Sequence, residues 1–145
     1  PLFGSDIDPA MAALSAENAN RAGVGDTIRF FTADAIGGDG PAGLDRGRLD
    51  RETGSNRRLV VTNPPYGERL MDPETARAVQ IGIGAACLPG GQLRDDLRLT
   101  VLSPDEAFER TVGCRADKRR KLYNGMIKCT MYHYHRHGVR QGGPR

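Results

Sequence analysis

Asn63-Pro64-Pro65-Tyr66 is the stretch of this 145-residue chain whose residue types and spacing point most directly to chemistry. Two consecutive prolines exclude helix and the interior of a sheet, so they predict a rigid, extended turn. Asn63 offers a side-chain carbonyl, and the backbone carbonyl of Pro64 is expected to lack a ladder partner in such a turn. Two acceptors can then converge on one planar NH2 group, while Tyr66 supplies a ring on which a base or an amide can stack. That arrangement suits transfer of an electrophilic methyl group to an exocyclic nitrogen. Such a reaction relies on positioning and electrostatics more than on a strong base. The plain alternative is a rigid structural turn.

Two acids stand at comparable places. Asp6 closes Leu2-Phe3-Gly4-Ser5, and Asp34 follows Ile28 to Thr32. A carboxylate at a strand end can accept two hydrogen bonds from a ribose diol, which suits Asp6 to a nucleoside; a solvated or capping aspartate is the alternative. Asp34 can accept from the exocyclic amine of adenine, or be an ordinary loop acid. Asp8 reads as a helix N-cap with Pro9 at the first helical position. Gly37-Gly38-Asp39-Gly40 lacks the Lys-Ser/Thr of a phosphate loop and carries no nucleotide role.

Three cysteines, Cys87, Cys114 and Cys129, with no CxxC spacing argue against a disulfide framework and a structural zinc site. They are expected to be buried, reduced thiols. His133, His135 and His137 alternate and would share one face of a strand, but no carboxylate is placed to complete a metal site. They are expected at the surface, and no metal is expected.

The elements that must carry these residues follow from pattern and punctuation. Leu2 to Asp6 reads as the end of a short strand, and Ala10 to Ala22 as a helix with Met11, Leu14 and Ala22 along its apolar face, stopped by Gly23. Ile28 to Thr32 is a second strand. Residues 37–58, rich in glycine and alternating charge, read as a long loop. Leu59 to Thr62 is a central strand delivering Asn63 at its tip, and Glu74 to Cys87 is a helix. Leu97 to Leu102 is a strand, Asp105 to Val112 a helix with Ser103 as a candidate cap, and Leu122-Tyr123 and Met126 to Tyr134 a terminal pair turning at Gly125. The order is that of a doubly wound α/β sheet with antiparallel C-terminal strands. Ligands of such sheets sit beyond the carboxyl ends of strands, where Asp6, Asp34 and Asn63 all fall.

Composition sets the outer bounds. The length is that of one domain with a real core. No apolar run approaches the roughly 20 residues of a membrane span, in keeping with a mean hydropathy of -0.51. No leader is visible, so cytoplasmic residence is expected. The net charge of +3 hides an asymmetry: residues 110–145 hold seven arginines and three lysines against one acid, Asp117, while residues 1–109 hold eleven arginines against seventeen acids. A polyanion partner suits the C-terminal part, with Lys118-Arg119-Arg120-Lys121 its densest block; a solvated basic face is the alternative.

With these residues in view, the chain resembles the Rossmann-like, S-adenosylmethionine-dependent methyltransferases of exocyclic amines, whose signature is the Asn-Pro-Pro-Tyr tetrad. It is most similar to the THUMP-associated RNA guanine-N2 branch. The resemblance rests on Gly4-Ser5-Asp6-Ile7-Asp8-Pro9, Asn18, Val61-Thr62-Asn63-Pro64-Pro65-Tyr66-Gly67-Glu68-Arg69-Leu70, Asp117-Lys118-Arg119-Arg120-Lys121-Leu122-Tyr123-Asn124-Gly125 and Cys129-Thr130. It implies that Asp6 and Ile7 hold the ribose and adenine of S-adenosylmethionine, that Asp34 and Ala35 contact the adenine amine, and that Asn63, Pro64, Pro65 and Tyr66 hold the guanine amine of an rRNA or tRNA. Lys118, Arg119, Arg120 and Lys121 would lie near the RNA. It further implies that residues 1–135 are part of a catalytic domain and 136–145 a flexible tail. The family's first strand, glycine-rich loop and THUMP domain would lie upstream. A sheet without that first strand is expected to self-associate through an exposed edge. The same tetrad also suits adenine-N6 methylation of DNA and glutamine-N5 methylation of protein, and a non-catalytic RNA-binding remnant is the third reading.

Overall fold

The computed structural model describes residues 2–34, 58–66 and 72–135. The chain divides into two compact units, Pro1–Ser55 and Asn56–Arg145. Ala35, His137, most of the expected 37–58 loop, Gly67 to Leu70 and the expected tail at 136–145 lie outside the described residues.

In the first unit, β1 (Leu2–Asp6) and β2 (Ile28–Thr32) pair in parallel, from Leu2 opposite Ile28 to Asp6 opposite Thr32. The crossover between them is α1 (Pro9–Arg21). It starts as expected: the Asp8 carboxylate accepts from the Ala10 amide at 2.8 Å, with Pro9 in the first turn. Gly23, at φ 72°, turns the chain after the helix in a conformation open to a residue without Cβ. The buried face differs from the expectation. Ala12 and Ala19, seven residues apart on one line of the helix, are buried, whereas Met11 and Leu14 are 42% and 45% exposed.

The second unit is a four-stranded sheet in the order β3-β4-β6-β5, with β3 (Arg58–Thr62), β4 (Leu97–Ser103), β5 (Lys118–Asn124) and β6 (Ile127–Tyr134). The pair β3–β4 is parallel, joined by α2 (Pro73–Cys87); β4–β6 and β5–β6 are antiparallel. The α/β order with an antiparallel ending is the one the sequence predicts. Arg58 opens β3 instead of closing the expected loop. Its backbone amide and its guanidinium both reach Asp96, which Arg94 grips with two further bonds. α2 opens at Pro73, one residue before the expected Glu74, because Asp72 caps it by accepting from the Thr75 amide.

β4 is the spine of this unit. Its side chains alternate, and Leu97, Leu99, Val101 and Ser103 are all within 2% of complete burial. They pack with Ile83, Cys87 and Leu88, with Phe108 and Val112, and with Tyr132 and Tyr134 of β6. Gly84 lets α2 approach the chain at Val112, where a Cβ would stand 3.1 Å from the Val112 Cα. Burial pushes the Cys87 thiol up to about 11, so it stays a neutral core side chain. All three cysteines are buried and free, as expected.

The helix expected over Asp105 to Val112 shrinks to α3 (Phe108–Thr111). Ser103 Oγ accepts from the Asp105 amide and Asp105 Oδ1 from the Ala107 amide, and these local bonds hold a turn ahead of the helix. The Phe108 and Tyr132 rings lie 5.0 Å apart, and Tyr132 and Tyr134 donate to the carbonyls of Asp105 and Cys114. β5 runs from Lys118, four residues ahead of the expected Leu122, and Met126 sits in the turn outside β6. Four successive cations conceal a strand from any reading of apolar alternation, yet they suit an edge strand.

Phe108→Ala removes a fully buried ring from the core and is expected to cost about 3–5 kcal/mol in denaturant unfolding. Among the described residues β1 is paired only with β2 and β3 only with β4, and Leu59 and Val61 of β3 are 65% and 67% exposed. Sedimentation is expected to show concentration-dependent self-association of the isolated chain; a single monomeric species at every concentration would count against it.

Candidate active site

The Asn63-Pro64-Pro65-Tyr66 turn leaves the sheet where β3 stops pairing. Thr62 is the last residue in register, opposite Val101. Asn63 is exposed, Pro64 is buried, and Pro65 and Tyr66 are half-buried. The prolines thus anchor the turn while Asn63 faces outward at the carboxyl end of a parallel strand. Tyr66 has a partner that no motif announces: the Asn124 amide Nδ2 donates to its hydroxyl at 2.7 Å.

The sheet register explains how Asn124 arrives there. β4 and β6 pair as far as Ser103 opposite Thr130. The β5–β6 ladder continues three residues further, to Asn124 opposite Ile127. The hairpin therefore overhangs the end of β4 on the side where the Asn63–Tyr66 turn emerges. Gly125, at φ 61°, closes it. The two-residue loop is Gly125-Met126, and glycine at its first position is a hairpin signal. The tie from Asn124 to a residue 58 positions earlier is legible only in three dimensions.

In the first unit, Asp6 and Asp34 come together at the carboxyl end of the β1–β2 pair. The Ala33 amide donates to the Asp6 carbonyl at 2.9 Å, carrying the ladder to the residue before Asp34. The Asp6 carboxylate is exposed and accepts from the Asp8 amide at 2.9 Å; Asp34 is half-buried. Ile7, 67% exposed, stands beside them as an apolar surface at the strand tip. Asp8 is committed to its cap.

The basic block is divided by the strand that carries it. Side chains of a strand alternate between faces, so Lys118 and Arg120 fall on one face of β5 and Arg119 and Lys121 on the other. Arg119 is bound to Glu109 by two bonds, 2.9 Å from Nε and 2.7 Å from the terminal nitrogen. These bonds raise its pKa further, and Glu109 also accepts from the Ala116 amide. Arg119 is thus a structural tie between α3 and β5. Lys118 and Arg120 line an open cleft with Arg98, Thr100 and His133. The pKa of His133 is lowered by partial burial and then by Lys118, Arg120 and His135, the signature of a positive surface. His133 is half-buried and hydrogen-bonded to Thr100 at 3.1 Å, more enclosed than expected, whereas His135 is exposed and its amide is bound to Asp117. Among the described residues, no three His, Cys, Asp or Glu side chains gather as a metal site, and no helix is long and apolar enough to cross a membrane.

The chain is similar to several known proteins. YpsC of Bacillus subtilis, provisionally named an RNA methyltransferase, is 35% identical over 92% of the chain and 30% of its own length. The ribosomal RNA large subunit methyltransferase K/L of Aeromonas salmonicida is 32% identical over 92% of the chain and 18% of its own length. Among solved structures, SMU.472 in complex with SAH superposes with a TM-score of 0.72 at 27% identity, covering 96% of the chain and 32% of that protein. A protein of Listeria monocytogenes, described as a predicted N6-adenine-specific DNA methylase, reaches 0.66 at 32% identity, covering 91% and 29%. The chain thus spans less than a third of each. Residues 1–133 match the UPF0020 family, described as an RMKL-like methyltransferase domain. The chain belongs to this methyltransferase family.

Proposed function

We propose that this chain is part of the catalytic domain of an S-adenosylmethionine-dependent RNA methyltransferase that modifies the exocyclic N2 amine of a guanine. The observation that carries this reading is the Asn63–Tyr66 turn at the carboxyl end of β3, with Asn63 exposed, Pro64 buried and the Tyr66 hydroxyl tied to Asn124. The RNA named for YpsC and for the K/L enzyme supports the substrate class.

The residues present fit the cofactor. At the β1–β2 tip, the exposed Asp6 carboxylate suits the ribose hydroxyls, the exposed Ile7 suits one face of adenine, and Asp34 suits its amine. When bound, S-adenosylmethionine would supply the electrophilic methyl group and leave as the thioether S-adenosylhomocysteine, and the proton lost from the methylated amine would pass to solvent. The chain's own part is positioning. Asn63 Oδ1 and the Pro64 carbonyl accept from the target amine and hold its lone pair in one orientation, while the Tyr66 ring supports the base. The base must leave its stack to reach such a turn. The neighbour described as an N6-adenine DNA methylase favours a second reading, methylation of adenine in DNA, because the same acceptors suit any planar amine.

The two halves of the chemistry are expected to separate on mutation of the intact polypeptide that carries these residues. Asn63→Ala should slow single-turnover methylation by an amount equivalent to about 2–4 kcal/mol and leave cofactor affinity nearly unchanged. Asp6→Ala should instead weaken cofactor binding measured by calorimetry, because the ribose is held in ground and transition states alike. Near-normal turnover in Asn63→Ala sinks the proposed role. A panel of RNA, DNA and protein acceptors with labelled cofactor decides between guanine and adenine. Absence of both cofactor binding and methyl transfer would leave RNA binding alone.

RNA contact is assigned to Lys118, Arg120 and Lys121, and not to Arg119. Neutralising the three should flatten the salt dependence of RNA binding, by roughly 0.7 in the log–log slope per lost phosphate contact on a single strand. Arg119→Ala should lower thermal stability and leave that slope in place. An unchanged slope in the triple variant would show a solvated face.

A further inference from the structure

The β5–β6 hairpin ends in a group of side chains that the core does not use. Met126 is 98% exposed, Tyr123 is 74% exposed and Ile127 is 48% exposed. All three belong to a tip that projects beyond the last β4–β6 pair. Large apolar side chains at the apex of a two-stranded arm add nothing to the fold. They are well suited to meet the faces of unstacked bases, which stack on aromatic side chains without regard to sequence. On the strand leading to the tip, exposed Lys121 shares the face of Tyr123 and exposed Lys118 and Arg120 lie on the other face, so a nucleic-acid backbone passing the arm on either face meets positive charge.

The arm is also mechanically connected to the turn that holds the target base in the function proposed above. Asn124, between Tyr123 and the Gly125 turn, donates to the Tyr66 hydroxyl at 2.7 Å. Asn124 is exposed and Tyr66 half-buried. A hydrogen bond in such a place adds little to stability, because water can replace either partner. Its effect is on geometry: it fixes the Tyr66 ring relative to the hairpin.

We propose that the hairpin is an RNA-engaging arm: Tyr123 and Met126 contact single-stranded bases beside the target, and Asn124 is a positioning residue that transmits the arm's placement to Tyr66. The inference rests on the proposed function for the role of Tyr66, whereas the apex contact is read by binding alone.

The test uses the intact polypeptide and a fluorescently labelled, guanosine-containing single-stranded RNA. The Tyr123→Ala/Met126→Ser double variant is expected to weaken RNA binding at least fivefold, from the loss of one stacked base, with SAH affinity and melting temperature unchanged. Unchanged RNA affinity overturns the arm. Asn124→Ala is expected to lower the single-turnover methylation rate roughly tenfold, the scale of one ordinary hydrogen bond, with KM for the cofactor unchanged. Tyr66→Phe removes the same bond while leaving the turn sequence Asn124-Gly125 intact. The two substitutions together should be no slower than either alone, since they break one interaction. Full activity in Tyr66→Phe, or effects of the pair that multiply, overturns the positioning role. Loss of transfer in Asn63→Ala beside normal transfer in Asn124→Ala would refute this inference and leave the proposed function standing; normal transfer in Asn63→Ala refutes the latter.

Discussion

The burial of one strand governs the second unit. β4 is hydrogen-bonded on both sides and sealed on one face, with Leu97, Leu99, Val101 and Ser103 almost wholly withdrawn from water. A slip of one residue would turn that set to the opposite face, so register is strongly specified. Both features of the candidate site inherit that register. Thr62 stands opposite Val101, which determines where β3 ends and Asn63 emerges. Thr130 stands opposite Ser103, which determines how far the β5–β6 hairpin projects. Tyr66 and Asn124 meet because two strands are measured against the same buried neighbour.

Polar ties around this spine are concentrated where regular structure is short. α3 has only four residues, too few to be stable alone. Glu109 compensates by gripping Arg119 and the Ala116 amide, and Tyr132 and Tyr134 hold the carbonyls on either side of the helix. At the opposite end of the sheet, Asp96 collects Arg58 and Arg94. Charge in this unit is therefore divided. Some cations hold the fold, as Arg119 does with Glu109, and the others on β5 are exposed.

The two units carry chemically different residues. The first presents Asp6, Ile7 and Asp34 at the tip of a parallel pair, a set suited to a nucleoside. The second presents a rigid turn of acceptors and a ring, suited to a planar amine. Both use the same device, a parallel strand whose carboxyl end delivers polar groups beyond the ladder, as α/β sheets do generally. Both also start the following helix with Asp-Pro, in which one carboxylate satisfies an end amide and the proline needs none.

Much of this was legible in the residues themselves. Asp8-Pro9 starts a helix, and Asn63-Pro64-Pro65-Tyr66 ends a strand, because caps and prolines act locally and need no distant partner. The order of strands and helices follows from local apolar pattern in the same way. Tertiary structure decided what depends on neighbours far along the chain. Ala12 and Ala19, not Met11 and Leu14, face the β1–β2 pair, since a helix's inward line is set by what it packs on. Lys118 to Lys121 form a strand because β6 pairs with them, although four cations in a row hide any alternation. That same pairing separates Arg119 from its neighbours and gives it to Glu109. Asn124 found its hydrogen-bond partner in a tyrosine 58 residues away, brought within 2.7 Å by a register that neither segment encodes alone.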